Sequence, residues 1–143
     1  MTSVSTILAG RAGNVIRVEP DATVLQSLEV MAKHNVGAVM VMEGSQLVGI
    51  LTERDYARKI VLQGKASDAT KVKDIMSTKV VCATPQMTLE SAMAVTREKN
   101  IRHLPVVDES KKVLGMISIR DLVNAIVDEQ KLVIEQLQQY ISS

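Results

Sequence analysis

Two short segments hold the chain's most suggestive polar chemistry. Gly49-Ile50-Leu51-Thr52-Glu53-Arg54-Asp55 and Gly115-Met116-Ile117-Ser118-Ile119-Arg120-Asp121 each run through a glycine, an apolar pair, a hydroxyl residue and an Arg-Asp pair in one order. At a helix start, the hydroxyl of Thr52 or Ser118 sits among backbone N–H groups without intrahelical partners, so a phosphate or hydroxyl ligand can join a ready donor cluster. Asp55 and Asp121, one turn further on, offer carboxylate oxygens suited to the paired hydroxyls of a ribose, as an acidic residue does in dinucleotide folds. Arg54 and Arg120 can supply charge for phosphate oxygens. One Ser/Thr-x-x-Asp/Glu alone is more simply a capping box. The doubling shifts that weight. Capping requires neither the upstream Gly49 and Gly115 nor an Arg before each Asp, whereas close approach of a ligand to the backbone explains the glycines.

The elements that position these segments are duplicated too. Pro20 answers Pro85, Thr23 answers Thr88, Asn35 answers Asn100, and Val39 to Val41 answers Leu104 to Val106. The separation is 65 residues from Pro20 to Pro85 and 66 from Asp55 to Asp121, so one residue is inserted between Glu109 and Lys112 as against Gly44 to Gln46. Insertions settle in turns. Upstream, Val4-x-x-Ile7-Leu8 matches Val72-x-x-Ile75-Met76. A unit of this size is near the lower limit for independent folding, so the copies are expected to share one core.

Each unit reads strand, helix, strand, strand, helix. Thr23 and Gln26 form a capping box ahead of Val24, Leu28, Met31 and Ala32, which have helical spacing. Ala38 to Met42 and Leu47 to Leu51 flank a hairpin turn at Glu43-Gly44-Ser45. Thr52 opens a helix to about Leu62, with Gly64 as its stop. The second copy has a strand near Val80, a helix from Leu89 to Lys99, strands Leu104 to Val107 and Val113 to Ile117, and a helix after Ser118. The fold class is α+β (mixed α/β): two β-α-β-β-α repeats, each a small mixed sheet with helices on one face, packed about a pseudo-two-fold axis. The expected division is residues 1–66, 67–127 and a C-terminal helical extension at 128–143. That last helix runs to about Ile141, with Val127, Ile134, Leu137 and Ile141 near a heptad stripe. It suits either packing on its own domain or a dimer contact.

Composition narrows the function. Hydrophobic residues at 46%, charged residues at 23% and a net charge of +1 describe a soluble globular chain without a polyanion-binding surface, so extended nucleic-acid binding is not expected. Without Trp or Phe, and with only Tyr56 and Tyr140, base stacking on aromatic platforms is not expected either. A bound base must be sandwiched by aliphatic side chains. Met31 and Met93 read as flexible core packing. Cys82, in the run Val80-Val81-Cys82-Ala83, has no internal disulfide partner and reads as an inert buried strand thiol. The N-terminus carries no signal-peptide pattern, and no segment approaches the roughly 20 apolar residues of a membrane span, so a cytoplasmic address is expected. His34 and His103 with one Cys make no zinc pattern, and His103 lacks the partners of a catalyst, so neither a metal site nor a catalytic residue is expected. Gly10-Arg11-Ala12-Gly13 precedes a strand rather than following one and fails as a dinucleotide fingerprint.

Taken with Asn100-Ile101-Arg102-His103-Leu104-Pro105-Val106-Val107-Asp108, the two heptads resemble those of the CBS-domain family, in the tandem arrangement called a Bateman module, from about Val4 to Val127. The resemblance implies a stand-alone regulatory module that binds adenosine-containing ligands such as AMP, ADP, ATP, NAD or S-adenosylmethionine in two clefts between the repeats, without a catalytic cofactor. It also implies a homodimer and a regulated protein partner. By the family pattern, one cleft combines Thr52, Arg54 and Asp55 with Thr84, Ile101, Arg102, His103 and Pro105. The other combines Ser118, Arg120 and Asp121 with the segments around Val18 and Val36-Gly37-Ala38. The aspartates would hold ribose, with Arg102 and His103 toward the phosphates near the pseudo-axis. Glu19 stands opposite Thr84, and Gly37-Ala38 opposite Arg102-His103, which favours phosphate in the Asp55 cleft. Two rival readings remain open: a nucleotide-hydrolysing enzyme, and a purely structural dimerisation or partner-docking protein.

Overall fold

Alternation along one strand sets the architecture. In the computed structural model, which describes residues 2–9 and 15–142, strand β2 (Ala38–Glu43) turns Val39 and Val41 into one core and Met40 and Met42 into another. Successive side chains of a strand point to opposite faces, so a strand buried on both sides is apolar throughout. β1 (Arg17–Val18) pairs with β2 in parallel, and β2 pairs antiparallel with β3 (Gln46–Thr52) through a tight turn at Gly44, where φ is +62°. Only a residue tolerant of that conformation closes the hairpin without strain.

The second repeat follows the same plan with less strand. β4 (His103–Val107) and β5 (Val113–Ser118) form an antiparallel pair, and the inserted residue lies in their connection, where Lys111 has φ +65° and Asp108 Oδ1 accepts from the Lys112 amide at 2.9 Å. The strand expected near Val80 is reduced to a single parallel bridge between Ala83 and Val106, held by Ala83 N–H to Pro105 O at 2.8 Å and Val107 N–H to Ala83 O at 3.0 Å. Cys82 therefore lies half-buried beside that bridge rather than inside a strand, with burial pushing its thiol pKa up.

Helices α2 (Val24–His34) and α4 (Leu89–Lys99) cover the outer faces. Thr23 and Gln26 exchange the two bonds of a capping box at 3.1 and 2.8 Å, and Thr88 caps α4 by accepting from the Ser91 amide at 3.1 Å. Both helices end on an asparagine in the left-handed region, Asn35 at φ 53° and Asn100 at φ 52°. This explains why Asn recurs there: its short polar side chain makes it one of the few non-glycine residues that enter this region readily. The helix after Thr52 is α3 (Glu53–Tyr56), which widens into a π turn over Ala57–Val61. The last helix, α5 (Ile119–Ser142), buries Leu122 and then runs on with Leu132, Val133, Ile134, Leu137 and Ile141 exposed.

The leading segments of the repeats are exchanged. Helix α1 (Val4–Ala9) packs Val4, Ile7 and Leu8 into the second core with Leu89, Leu104, Ile117 and Leu122. Val72 and Ile75 complete the first core with Val24, Leu51 and Ile60. The backbone bonds repeat the swap: Val4 N–H reaches Met87 O at 2.9 Å, and Val72 N–H reaches Ala22 O at 2.8 Å. A third cluster of Met40, Met42 and Val113, flanked by Leu47, Val107 and Met116, joins the two sheets. Gly10 to Gly13 lie outside the described residues.

Candidate functional site

Each signature segment begins a helix as a complete capping box. Asp55 Oδ2 accepts from the Thr52 amide at 3.0 Å and the Thr52 hydroxyl at 3.1 Å, while the Asp55 amide donates to Thr52 Oγ1 at 3.1 Å. Asp121 Oδ2 accepts from the Ser118 amide at 2.6 Å and hydroxyl at 3.0 Å, and its amide donates to Ser118 Oγ at 3.3 Å. One carboxylate oxygen of each aspartate is thus committed to its own helix.

Beyond the caps the copies diverge. Lys59 pairs with Asp55 Oδ1 at 3.2 Å and donates to Ile75 O at 2.8 Å, so both Asp55 oxygens are engaged. Ala125 stands at the position equivalent to Lys59. Arg54 turns away from Asp55 and donates to the Asn100 carbonyl of the other repeat at 3.3 Å. Gly49 does not open onto a ligand space. A Cβ there would lie 2.5 Å from Met76 Sδ and 3.0 Å from the Ser77 carbonyl, because Ile50 and Ser77 form a two-bond bridge across the edge of β3. The close approach that the glycine permits is made by the protein's own chain.

A cavity of about 880 Å³ opens on the Asp121 side. Ser118, Arg120 and Asp121 enter it from the β5–α5 junction, and Val36 and Gly37 from the end of α2. Ile16, Leu28, Met31, Met116 and Leu8 supply the apolar walls. Its volume is that of a site for a small organic ligand or nucleotide. Arg102 and His103, assigned by the family pattern to the Asp55 cleft, also line this cavity. The reason is the hairpin register: His103 pairs directly with Ser118, and residues directly opposite on an antiparallel ladder project to the same face. The imidazole pKa of His103 is lowered by burial and, secondarily, by the neighbouring Arg102 charge, which favours the neutral ring.

The other expected residues lie elsewhere. Val18 and Ala38 are buried, Pro105 is buried within β4, and Ile101 packs against the second core. Thr84 is exposed in the turn after Ala83, its carbonyl accepting from the Met87 amide. Glu53 was not expected at the site, yet it lines the cavity with its carboxylate beside Gly37. Ile119 is its counterpart in the second heptad, so the repeat hides it. Only the break in the repeat marks it. Among the described residues no cluster of His, Cys, Asp and Glu is arranged to hold a metal, and no helix is long and apolar enough to cross a membrane.

The comparisons agree with this architecture. The family model for the CBS domain matches residues 10–62 and 72–128. The chain is 38% identical over 149 residues to the mitochondrial CBS domain-containing protein CBSX3 of Arabidopsis thaliana, covering 98% of this chain and 72% of that protein. The structure of a protein with CBS domains from Burkholderia ambifaria superposes with a TM-score of 0.86 at 39% identity, over 90% of this chain and 96% of that one. The CBS domain pair of protein MJ0100, solved with 5′-methylthioadenosine and S-adenosyl-L-methionine, superposes with a TM-score of 0.80 at 25% identity, over 90% of this chain and 98% of that one. This chain belongs to the CBS-domain family and is a CBS-domain pair.

Proposed function

We propose that this CBS pair is a non-enzymatic sensor that binds an adenosine-containing nucleotide, AMP, ADP, ATP or NAD, between its repeats and signals to a separate protein. The observation that carries the reading is the cavity uniting Ser118, Arg120 and Asp121 with Arg102, His103 and Gly37. The complex of MJ0100 with two adenosine derivatives supports the ligand class. Aliphatic walls of Ile16, Leu28 and Met31 suit a base that has no aromatic side chain to stack on. The Asp121 cavity is the principal site in this reading, because its lining brings Arg102, His103 and Gly37 to Ser118, Arg120 and Asp121.

Mass spectrometry of nucleotides retained by the purified protein tests the reading directly, and titration calorimetry locates the site. Asp121→Ala is expected to weaken nucleotide binding about tenfold or more, the scale of losing a hydrogen bond to a charged acceptor, and Asp55→Ala less than about twofold. Equal losses in both variants would place ligand in both clefts. No nucleotide bound at millimolar concentration would leave a docking protein, and turnover of ATP or NAD would make it an enzyme.

The homodimer is part of this proposal. On α5, Val123, Val127, Ile134, Leu137 and Ile141 fall at alternating four- and three-residue steps, interrupted only by Gln130, and all five are exposed. β-Branched residues at Val127, Ile134 and Ile141 with Leu137 between them favour a two-stranded coiled coil. Truncation after Asp128 is expected to yield monomers by sedimentation equilibrium while nucleotide binding persists. Dimers that survive truncation would put the contact on the repeats themselves.

A further inference from the structure

We infer that Glu53 sets how much negative charge the Asp121 cavity accepts, discriminating against a triphosphate tail in favour of a monophosphate. The inference rests on the nucleotide reading above and sharpens its ligand class. The polar lining of the cavity contains two cations, Arg102 and Arg120, two acids, Asp121 and Glu53, and the His103 ring, whose pKa burial lowers. Asp121 gives one oxygen to the cap of α5. Glu53 has no such duty: its counterpart Ile119 begins α5 without a carboxylate, and the cap of α3 is made by Thr52 and Asp55.

Its location follows from a backbone contact. The Glu53 amide donates to the Gly37 carbonyl at 3.0 Å, which brings the first turn of α3 against the end of α2. Glu53 Oε1 lies 2.7 Å from the point where a Cβ on Gly37 would sit, and His103 Cε1 lies 3.8 Å from that point, so carboxylate and imidazole are within 6.5 Å of each other. Glycine at 37 leaves room for the acid. The anionic part of a nucleotide is drawn to Arg102, whose neighbour His103 faces Glu53. Each phosphate charge added on the Gly37 side of the cavity meets the charge of the Glu53 carboxylate. The two arginines are matched in number by Asp121 and Glu53, so each phosphate charge beyond that of a monophosphate meets a lining with no surplus positive charge, and removing the Glu53 charge creates a surplus of one.

The test compares AMP and ATP binding by calorimetry, with divalent cations chelated so that no metal bridges carboxylate and phosphate. Glu53→Gln keeps the backbone bond to Gly37 and removes one charge. It is expected to raise ATP affinity about tenfold while changing AMP affinity less than about threefold, as Coulomb repulsion in a partly solvated site predicts. Glu90→Gln removes the same charge from the exposed first turn of α4, outside the cavity, and is expected to leave the AMP-to-ATP ratio as it is. An unchanged ratio in Glu53→Gln, or an equal shift in Glu90→Gln, overturns the role of Glu53 and leaves the nucleotide reading intact. A wild-type protein that binds neither nucleotide removes both.

Discussion

Gly49→Val is expected to cost about 3 kcal/mol or more, read as a fall in the urea midpoint, because it combines overpacking with the loss of backbone hydrogen bonds. The side chain would enter the space held by Met76 and press on the Ser77 carbonyl, 3.0 Å from the first added carbon. Met76 can swing, but the carbonyl cannot move without breaking the paired 3.0 Å bonds between Ile50 and Ser77. Those bonds fasten the end of the Val72–Ile75 segment that completes the first core. Gly37→Ala is the control. Its obstruction is the far end of the Glu53 side chain, which turns aside, so the expected cost is below about 1 kcal/mol. Equal costs for the two variants would show that the Met76–Ser77 contact is not what Gly49 protects.

The second large effect concerns charge in the cavity. Arg102→Ala and Arg120→Ala are each expected to weaken AMP binding about tenfold, and together about a hundredfold, as charged hydrogen bonds to phosphate are lost. The double variant should also lose most of the salt dependence of binding, which calorimetry across a potassium chloride series measures. An affinity that falls by less than about threefold in the double variant would take the phosphate out of reach of this pair. The pH dependence has a definite sign. His103 is held below its ordinary pKa in the folded protein, so its contribution to folding is fully present above about pH 6.5 and is lost as pH falls from there through the depressed folded value. A phosphate seated beside the ring raises the depressed value again, so binding takes up a proton and tightens as the medium is acidified.

Much of the fold was legible because it rests on local rules. The capping box of Thr23 and Gln26, the turn at Gly44, the inserted residue near Lys111 and the long terminal helix all follow from short-range pattern. What escaped depended on pairing between distant segments. That Arg102 and His103 also line the Asp121 cavity follows from the hairpin register, which sets His103 against Ser118 and which the family pattern alone does not convey. The doubled glycines suggest close approach of a ligand, yet Gly49 is covered by Met76, and Leu8 lies 3.1 Å from a Cβ on Gly115. The strand at Val80 shrank to one bridge, since β-rich composition cannot say whether a partner edge lies alongside. Lys59 carries no signal of its own in the sequence, because an i,i+4 partner for Asp55 is ordinary on any helix.

The exchange of leading segments bears on how the chain is made. As it leaves the ribosome, the first lobe has its strands and α2 but stays open until Val72 and Ile75 emerge to close it. Val4, Ile7 and Leu8 have no home until Leu104, Ile117 and Leu122 have been synthesised. The segment that leads the first copy is therefore buried only after the second copy is made, and a gene cut between its two copies would encode two halves that each lack a wall.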